Sequence, residues 1–249
     1  MGMRFGGLPQ CLTIEPYCDD INVLTNQSSD FLVLDSAVRK FEKLSGAILS
    51  RDKKCKVLGF GTWKDRSIWP LDYLKVVKEM KVFGIFITDS YRDLLKRNWD
   101  FWFEKFQEAI KTWSPRVLDT LSQMVEVLKM FALSRVYYVA SILPINKTMV
   151  SKFEKDMGKF VTTLSGKVLR VSLVELKNTV EKGGLGLPCI SSTCKSLMLS
   201  QLLRMLKSGD DRSLTHISYW IGDLLEWLDA DLDLGVHADQ RLFLFTLSI

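Results

Sequence analysis

TIEPYCDDINVLT, residues Thr13 to Thr25, decides how the rest of the chain is read. Two short apolar segments flank an interruption made by Pro16 and the Asp19-Asp20 pair, a pattern that predicts a strand, a tight turn and a second strand. Downstream, apolar residues at 31, 34, 37, 38, 41 and 44 recur at helical spacing, with Asp30 placed to cap that helix and Ser45-Gly46 to stop it. Lys53-Lys54-Cys55-Lys56 forms a basic knot that leads into the apolar run Val57 to Gly61. KVFGIFIT, Lys81 to Thr88, is rich in strand formers and predicts one further strand.

From Ser90 onward the period is 3.6. Trp99, Trp102, Phe103, Phe106 and Ile110 form one stripe, and Met149, Phe153, Met157, Phe160 and Val161 form another. Between them a long amphipathic stretch, Val117 to Leu143, ends at Pro144. Glu181 to Pro188 reads as a glycine-rich loop, Cys189 to Leu206 as a helix, and the last 38 residues as two short helical patterns. No internal repeat is visible. The expected fold class is therefore α+β, mostly α.

Composition narrows the function classes. An apolar fraction of 47% with 25% charged residues in 249 residues is enough to build a core and excludes a wholly disordered chain. Five cysteines, an odd number with no CxxC pair, argue against a disulfide framework or a zinc knuckle and for a reducing, intracellular compartment, cytoplasm or nucleus. His216 and His237 are the only histidines, too few for a histidine-rich metal site. The most apolar stretch, Met124 to Ile145, carries Glu126, Lys129 and Arg135, so no membrane span is expected, and the N-terminus shows no signal-peptide pattern. The net charge of +5 is unevenly spread: the residues from Asp210 onward carry two basic and eight acidic side chains, leaving 32 basic and 21 acidic, or +11, ahead of them. A basic body with an acidic tail suits a polyanionic partner, nucleic acid being the simplest. The plainer alternative is a solvated lysine-rich surface.

Tyr17-Cys18-Asp19-Asp20 carries the clearest chemical signal. Two adjacent carboxylates at a hairpin turn supply the oxygen ligands that hard Mg²⁺ prefers, although Asp-Asp is also a common turn dipeptide. The order of the segments downstream sharpens the reading. The helix ends on Phe41-Glu42-Lys43-Leu44-Ser45-Gly46, then come Ser50-Arg51-Asp52-Lys53, Phe83-Gly84-Ile85-Phe86-Ile87, Trp113-Ser114-Pro115-Arg116, the Tyr137-to-Pro144 segment and Lys182-Gly183-Gly184-Leu185-Gly186-Leu187-Pro188. In this order the boxes resemble the reverse transcriptase of LINE-type (non-LTR) retrotransposons, from the catalytic hairpin of the palm onward, over roughly residues 8 to 207. Cys18 stands where that family usually has Ala, Ser50 where it has Asn, and Thr162 where it has Trp.

The resemblance implies a partial polymerase palm at 1–90 (the hairpin and a strand with a helix), a helical thumb at 91–168 and a C-terminal helical lobe with an acidic tail at 169–249. It implies Asp19 and Asp20 as catalytic, magnesium-holding residues, and Lys53, Lys54, Phe83 and Gly84 as nucleic-acid contacts, the last two in the primer grip. RNA template and DNA primer are the implied partners of the parent polymerase. The family's palm also uses an Asp on an earlier strand, and only 18 residues precede Asp19. The expectation is thus a reverse-transcriptase fragment that holds magnesium weakly or not at all, does not extend a primer alone, and has an open, aggregation-prone sheet edge beside the hairpin. The competing readings are a non-catalytic nucleic-acid-binding module and a helical interaction protein derived from the same ancestor.

Other features have plainer readings. The tryptophans at 99, 102 and 113 suit a helix-bundle core better than a base-stacking platform. The glycines at 183, 184 and 186 form a turn and not a phosphate loop, since no Gly-Lys-Ser/Thr comes after them.

Overall fold

A computed structural model describes residues 13–17, 20–25, 27–51, 55–66, 68–113, 120–164, 167–168, 171–208 and 243–248. The chain is mostly helical with small sheets, an α+β fold, and divides into two compact units: residues 1–94 with 238–249, and residues 95–237. His216 and His237 and most of the acidic tail lie outside the described residues.

The first unit is built on the hairpin. β1 (Thr13–Tyr17) and β2 (Asp20–Thr25) pair antiparallel, from Thr13 opposite Leu24 to Tyr17 opposite Asp20. Pro16 is tolerated because β1 is an edge strand, where a missing N–H costs least. α1 (Ser28–Ser45) comes next and turns its Phe31 and Leu34 inward. Gln27 is its N-cap residue, so Asp30 sits inside the first turn and not at the cap. There its wholly buried carboxylate accepts a hydrogen bond from the Thr25 hydroxyl, tying the end of β2 to the positive end of the helix. Gly46 ends the helix with φ at 73°, and its N–H bonds the Glu42 carbonyl. β3 (Lys56–Leu58) and β4 (Lys75–Val76) pair in parallel, and β9 (Phe243–Ser248) completes a five-stranded sheet in the order β1-β2-β9-β3-β4. Val23, Phe31, Leu34, Leu49, Val57, Trp69 and Leu74 form the core beneath it.

Three further expectations from the sequence are corrected by the structure. The segment at 81–88 is a hairpin in its own two-stranded sheet, β5 (Glu79–Val82) with β6 (Ile85–Thr88), because the chain reverses at Phe83-Gly84. Residues 243–248 form a strand and not part of a helical pattern. The edge of β2 expected to be open is covered by that strand along its whole length.

A polar network clamps the loop after α1. Arg51 makes a two-pronged pair with Glu42 at 2.7 and 2.8 Å, and Glu42 also accepts the Leu49 N–H at 2.7 Å. Asp35 accepts from the Tyr73 hydroxyl and from Arg39, each at 2.6 Å, with Arg51 3.9 Å away. Burial pushes Asp35 upward, but Tyr73, Arg39 and Arg51 outweigh it and hold the carboxyl below its ordinary value; Arg51 and the Leu49 amide do the same for Glu42. Folded pKa values below the unfolded ones give stability that is full above about pH 4 and lost as pH falls through the lowered values. Arg51→Met should therefore cost about 2 kcal/mol near neutral pH. Urea titrations should show the gap to the parent chain narrowing as pH falls below about 4; a gap that stays constant would mean that Arg51 contributes packing alone.

The second unit is helical: α2 (Tyr91–Trp113), α3 (Leu121–Val127), α4 (Ser134–Ala140), α5 (Lys147–Thr162), α6 (Leu173–Lys177) and α7 (Ile190–Ser208), with a short hairpin of β7 (Thr163–Leu164) and β8 (Lys167–Val168). α3 opens on a capping box between Thr120 and Gln123. A π-helical segment, Leu128–Leu133, joins it to α4 and slips the apolar repeat by one position. Trp99 and Phe106 are buried, and the whole Met149–Val161 stripe faces the core, as the periodicity predicts. The Trp99 indole donates to the Pro144 carbonyl at 2.8 Å, so this tryptophan is core and not a stacking platform. Lys177 pairs with Glu154 at 2.6 Å and fastens α6 to α5. Among the described residues the cysteines are free, and no helix is long and apolar enough to cross a membrane.

Candidate nucleic-acid interface

The hairpin places Asp20 as the first residue of β2, opposite Tyr17 on β1 and opposite Ser248 on β9. Asp19 lies outside the described residues, as do Lys53 and Lys54. A hard cation needs more oxygen ligands than two neighbouring carboxylates provide. The strand beside β2 reads FLFTLS, with no Asp or Glu, and it sets a serine at the register of Asp20. Among the described residues no group of three or more His, Cys, Asp or Glu side chains could hold a metal ion.

The approaches to Lys53 and Lys54 are fixed on both sides. Arg51 is held by Glu42, and Cys55 is buried, its thiol donating to the Ser50 carbonyl at 3.6 Å. Burial pushes the Cys55 thiol up to about 11, so it stays protonated and unreactive at neutral pH.

Just beyond, Lys56 on β3 lies directly opposite Lys75 on β4, and both are exposed. In a parallel pair such partners share a face, and like charges side by side are destabilising. Lys78 and Lys81 are exposed on the adjoining segment. The sequence marked Lys56 as part of the basic knot but gave no sign of Lys75, because only strand pairing brings the two together. One pair of lysines directly juxtaposed on paired strands, with Lys78 and Lys81 a few residues further along the chain, is an arrangement that an anionic partner would relieve.

Phe83 and Gly84 form the two-residue turn of the β5–β6 hairpin, with φ at 48° and 83°. Left-handed backbone at both positions is the type I′ pattern, which favours Asn-Gly. Phe83 is the one non-glycine with positive φ among the described residues, and it is 44% exposed. An aromatic held there costs about 1–2 kcal/mol. The hairpin thus carries an exposed ring at its tip in place of the residue that would turn most easily. Phe83→Asn should raise stability by about 1 kcal/mol, because asparagine tolerates the left-handed region. It should also weaken single-strand or duplex binding severalfold by removing a stacking surface worth about 1–3 kcal/mol. Thermal melts and fluorescence-anisotropy titrations of the same variant check both; a gain in stability with unchanged binding would make the ring incidental to recognition.

No family model matches the chain.

Proposed function

We propose that this chain is the palm-hairpin, primer-grip and thumb portion of a LINE-type reverse transcriptase, acting on its own as a duplex-binding module that does not extend a primer. The observation that carries the binding part is the juxtaposed Lys56–Lys75 pair, with Lys78 and Lys81 beyond it and the Phe83-tipped hairpin next in sequence. Supporting the ancestry is the order of parts: a hairpin with an Asp pair, a helix stopped by Ser-Gly, a lysine-bearing loop, a Phe-Gly turn, then a helical unit. RNA–DNA duplex is the expected ligand, held through backbone phosphates and without sequence preference. The expectation that the chain does not extend a primer rests on the resemblance, whose palm uses a further Asp on an earlier strand, and the register of Asp20 with Ser248 on the neighbouring strand is compatible with it.

Binding of an RNA–DNA duplex should fall steeply as salt rises. Lys56→Gln with Lys75→Gln should reduce the slope of log K against log salt by about one for each phosphate no longer neutralised, as should Lys53→Gln with Lys54→Gln. An unchanged slope in both double variants, measured by anisotropy titration, would leave these lysines merely solvated. A primer-extension assay with magnesium and an RNA template should give no product. Robust extension would overturn the non-catalytic part and leave the duplex-binding part standing.

A further inference from the structure

α1 carries apolar side chains that the chain leaves in water. Phe31 and Leu34 turn into the core, while Phe41 is half-exposed and Leu44 and Ile48 are 80% and 75% exposed. Ala37, Phe41 and Leu44 follow one another at intervals of four and three, so they lie along one line of the helix. Val33 joins that line at its N-terminal end, and Ile48 follows just past the Gly46 stop. From Val33 to Leu44 the stripe is roughly 16 Å long. A narrow stripe at spacings of four and three is the seam of a helix pair. Large apolar side chains left together on a surface mark a contact site.

The charges on α1 are sorted. Its carboxylates are Asp30, Asp35 and Glu42, and the chain itself engages all three: Asp30 is wholly buried and accepts from Thr25, Asp35 accepts from Tyr73 and Arg39, and Glu42 holds Arg51. Lys40 and Lys43 are exposed. With Phe41 at position a of a heptad and Ala37 and Leu44 at d, Lys40 falls at g, the flank whose charge selects a partner. A second copy of α1 brings the same lysines and no spare carboxylate, so like charges oppose self-pairing. A phosphate backbone would answer the lysines and leave Leu44 and Ile48 wet. A stripe one side chain wide is also narrower than the apolar face with which a helix lies in a lipid interface. What matches both the seam and its charge is a helix with apolar side chains at the same spacing and acidic flanks.

We propose that the exposed seam of α1, formed by Ala37, Phe41 and Leu44 with Ile48 beyond it, docks an acidic amphipathic helix of a partner protein. The partner's apolar side chains cover the seam, and its Asp or Glu residues answer Lys40 and Lys43. The surface is set by α1 and the residues just after it, and is independent of any nucleic-acid role.

The test uses the full chain and two synthetic peptides of about three heptads, both with leucine at a and d, one with glutamate and the other with lysine at e and g. Expected is saturable binding of the glutamate peptide by fluorescence anisotropy, about tenfold tighter than that of the lysine peptide, with added amide protection over α1 on hydrogen exchange. Leu44→Ser, at a side chain too exposed to carry the fold, should weaken that binding about tenfold. Lys40→Glu with Lys43→Glu should reverse the preference between the peptides. Failure of both peptides to bind, equal affinities for the two, binding that Leu44→Ser leaves unchanged, or a preference that survives the charge reversal would overturn the proposal. So would a dimer of the chain alone, by light scattering, that Leu44→Ser dissociates, or sedimentation with phosphatidylserine vesicles that the same variant abolishes, since either assigns the seam to a different occupant.

Discussion

Phe153→Ala should destabilise the second unit by about 4 kcal/mol, near the upper end for a buried aromatic truncated to alanine. Phe153 is fully buried on α5 and meets three rings edge-on: Trp99 at 6.2 Å, Phe103 at 5.0 Å and Phe106 at 4.9 Å between centroids. Truncation removes the ring of α5 on which Trp99, Phe103 and Phe106 of α2 all converge, and leaves only the stacked Phe103–Phe106 pair among those contacts. The loss therefore combines transfer, cavity and edge-to-face contributions. Phe153→Leu keeps most of the volume and should cost only about 1–2 kcal/mol. Chemical denaturation followed by tryptophan fluorescence reads both variants, with Trp99 as the reporter beside the site. A loss below about 1 kcal/mol for the alanine variant would mean that the cluster collapses around the gap, contrary to an interlocked core.

Gly184→Ala should be nearly as damaging, at about 3 kcal/mol, although it adds only a methyl group. A Cβ at Gly184 would stand 2.1 Å from the Asn178 carbonyl oxygen and 2.5 Å from its carbon, both backbone atoms. That stretch has no slack. Gly184 N–H bonds the Thr179 carbonyl at 2.9 Å, Gly186 N–H bonds Asn178 at 2.8 Å, and Leu185 and Leu187 both donate to the Leu176 carbonyl. Moving the Asn178 peptide aside would break this lattice and unseat the buried Leu187. Gly183 is the control. Its φ is 77°, yet nothing lies within 4 Å of a Cβ there, so Gly183→Ala carries only the left-handed strain of about 1 kcal/mol. Thermal unfolding of the two variants separates close approach from conformational freedom; equal losses would show that the loop relaxes around either methyl.

Local signals in the sequence correspond to the parts of the fold built from local contacts. The interruption in TIEPYCDDINVLT falls between the two strands that form, and the Met149–Val161 stripe is buried residue for residue. The α1 stripe tells a different story in its second half. Phe31 and Leu34 are buried, but Phe41 and Leu44 are 49% and 80% exposed. The turn at Phe83-Gly84 was hidden because phenylalanine is not a residue that announces a left-handed turn, so two strands read as one. The strand at 243–248 was hidden for a deeper reason: strand identity depends on the edge that receives it, here two edges more than 180 residues away in sequence. Of the candidate site, Asp20, Phe83 and Gly84 have a described position, Asp19, Lys53 and Lys54 do not, and Lys75 emerges only through its pairing with Lys56.

The late arrival of β9 also sets a schedule on the ribosome. At about 5–20 residues per second, the interval between synthesis of Val76 and synthesis of Phe243 is roughly 8–33 seconds. Throughout it, β2 and β3 have emerged with their facing edges unmatched, while the helical second unit is synthesised and, with its mostly local contacts, folds within milliseconds. The nascent chain therefore closes its older half last. Holdase chaperones that shield strand edges should be found on ribosome-bound chains that have passed residue 94, and should leave once β9 has paired with β2 and β3.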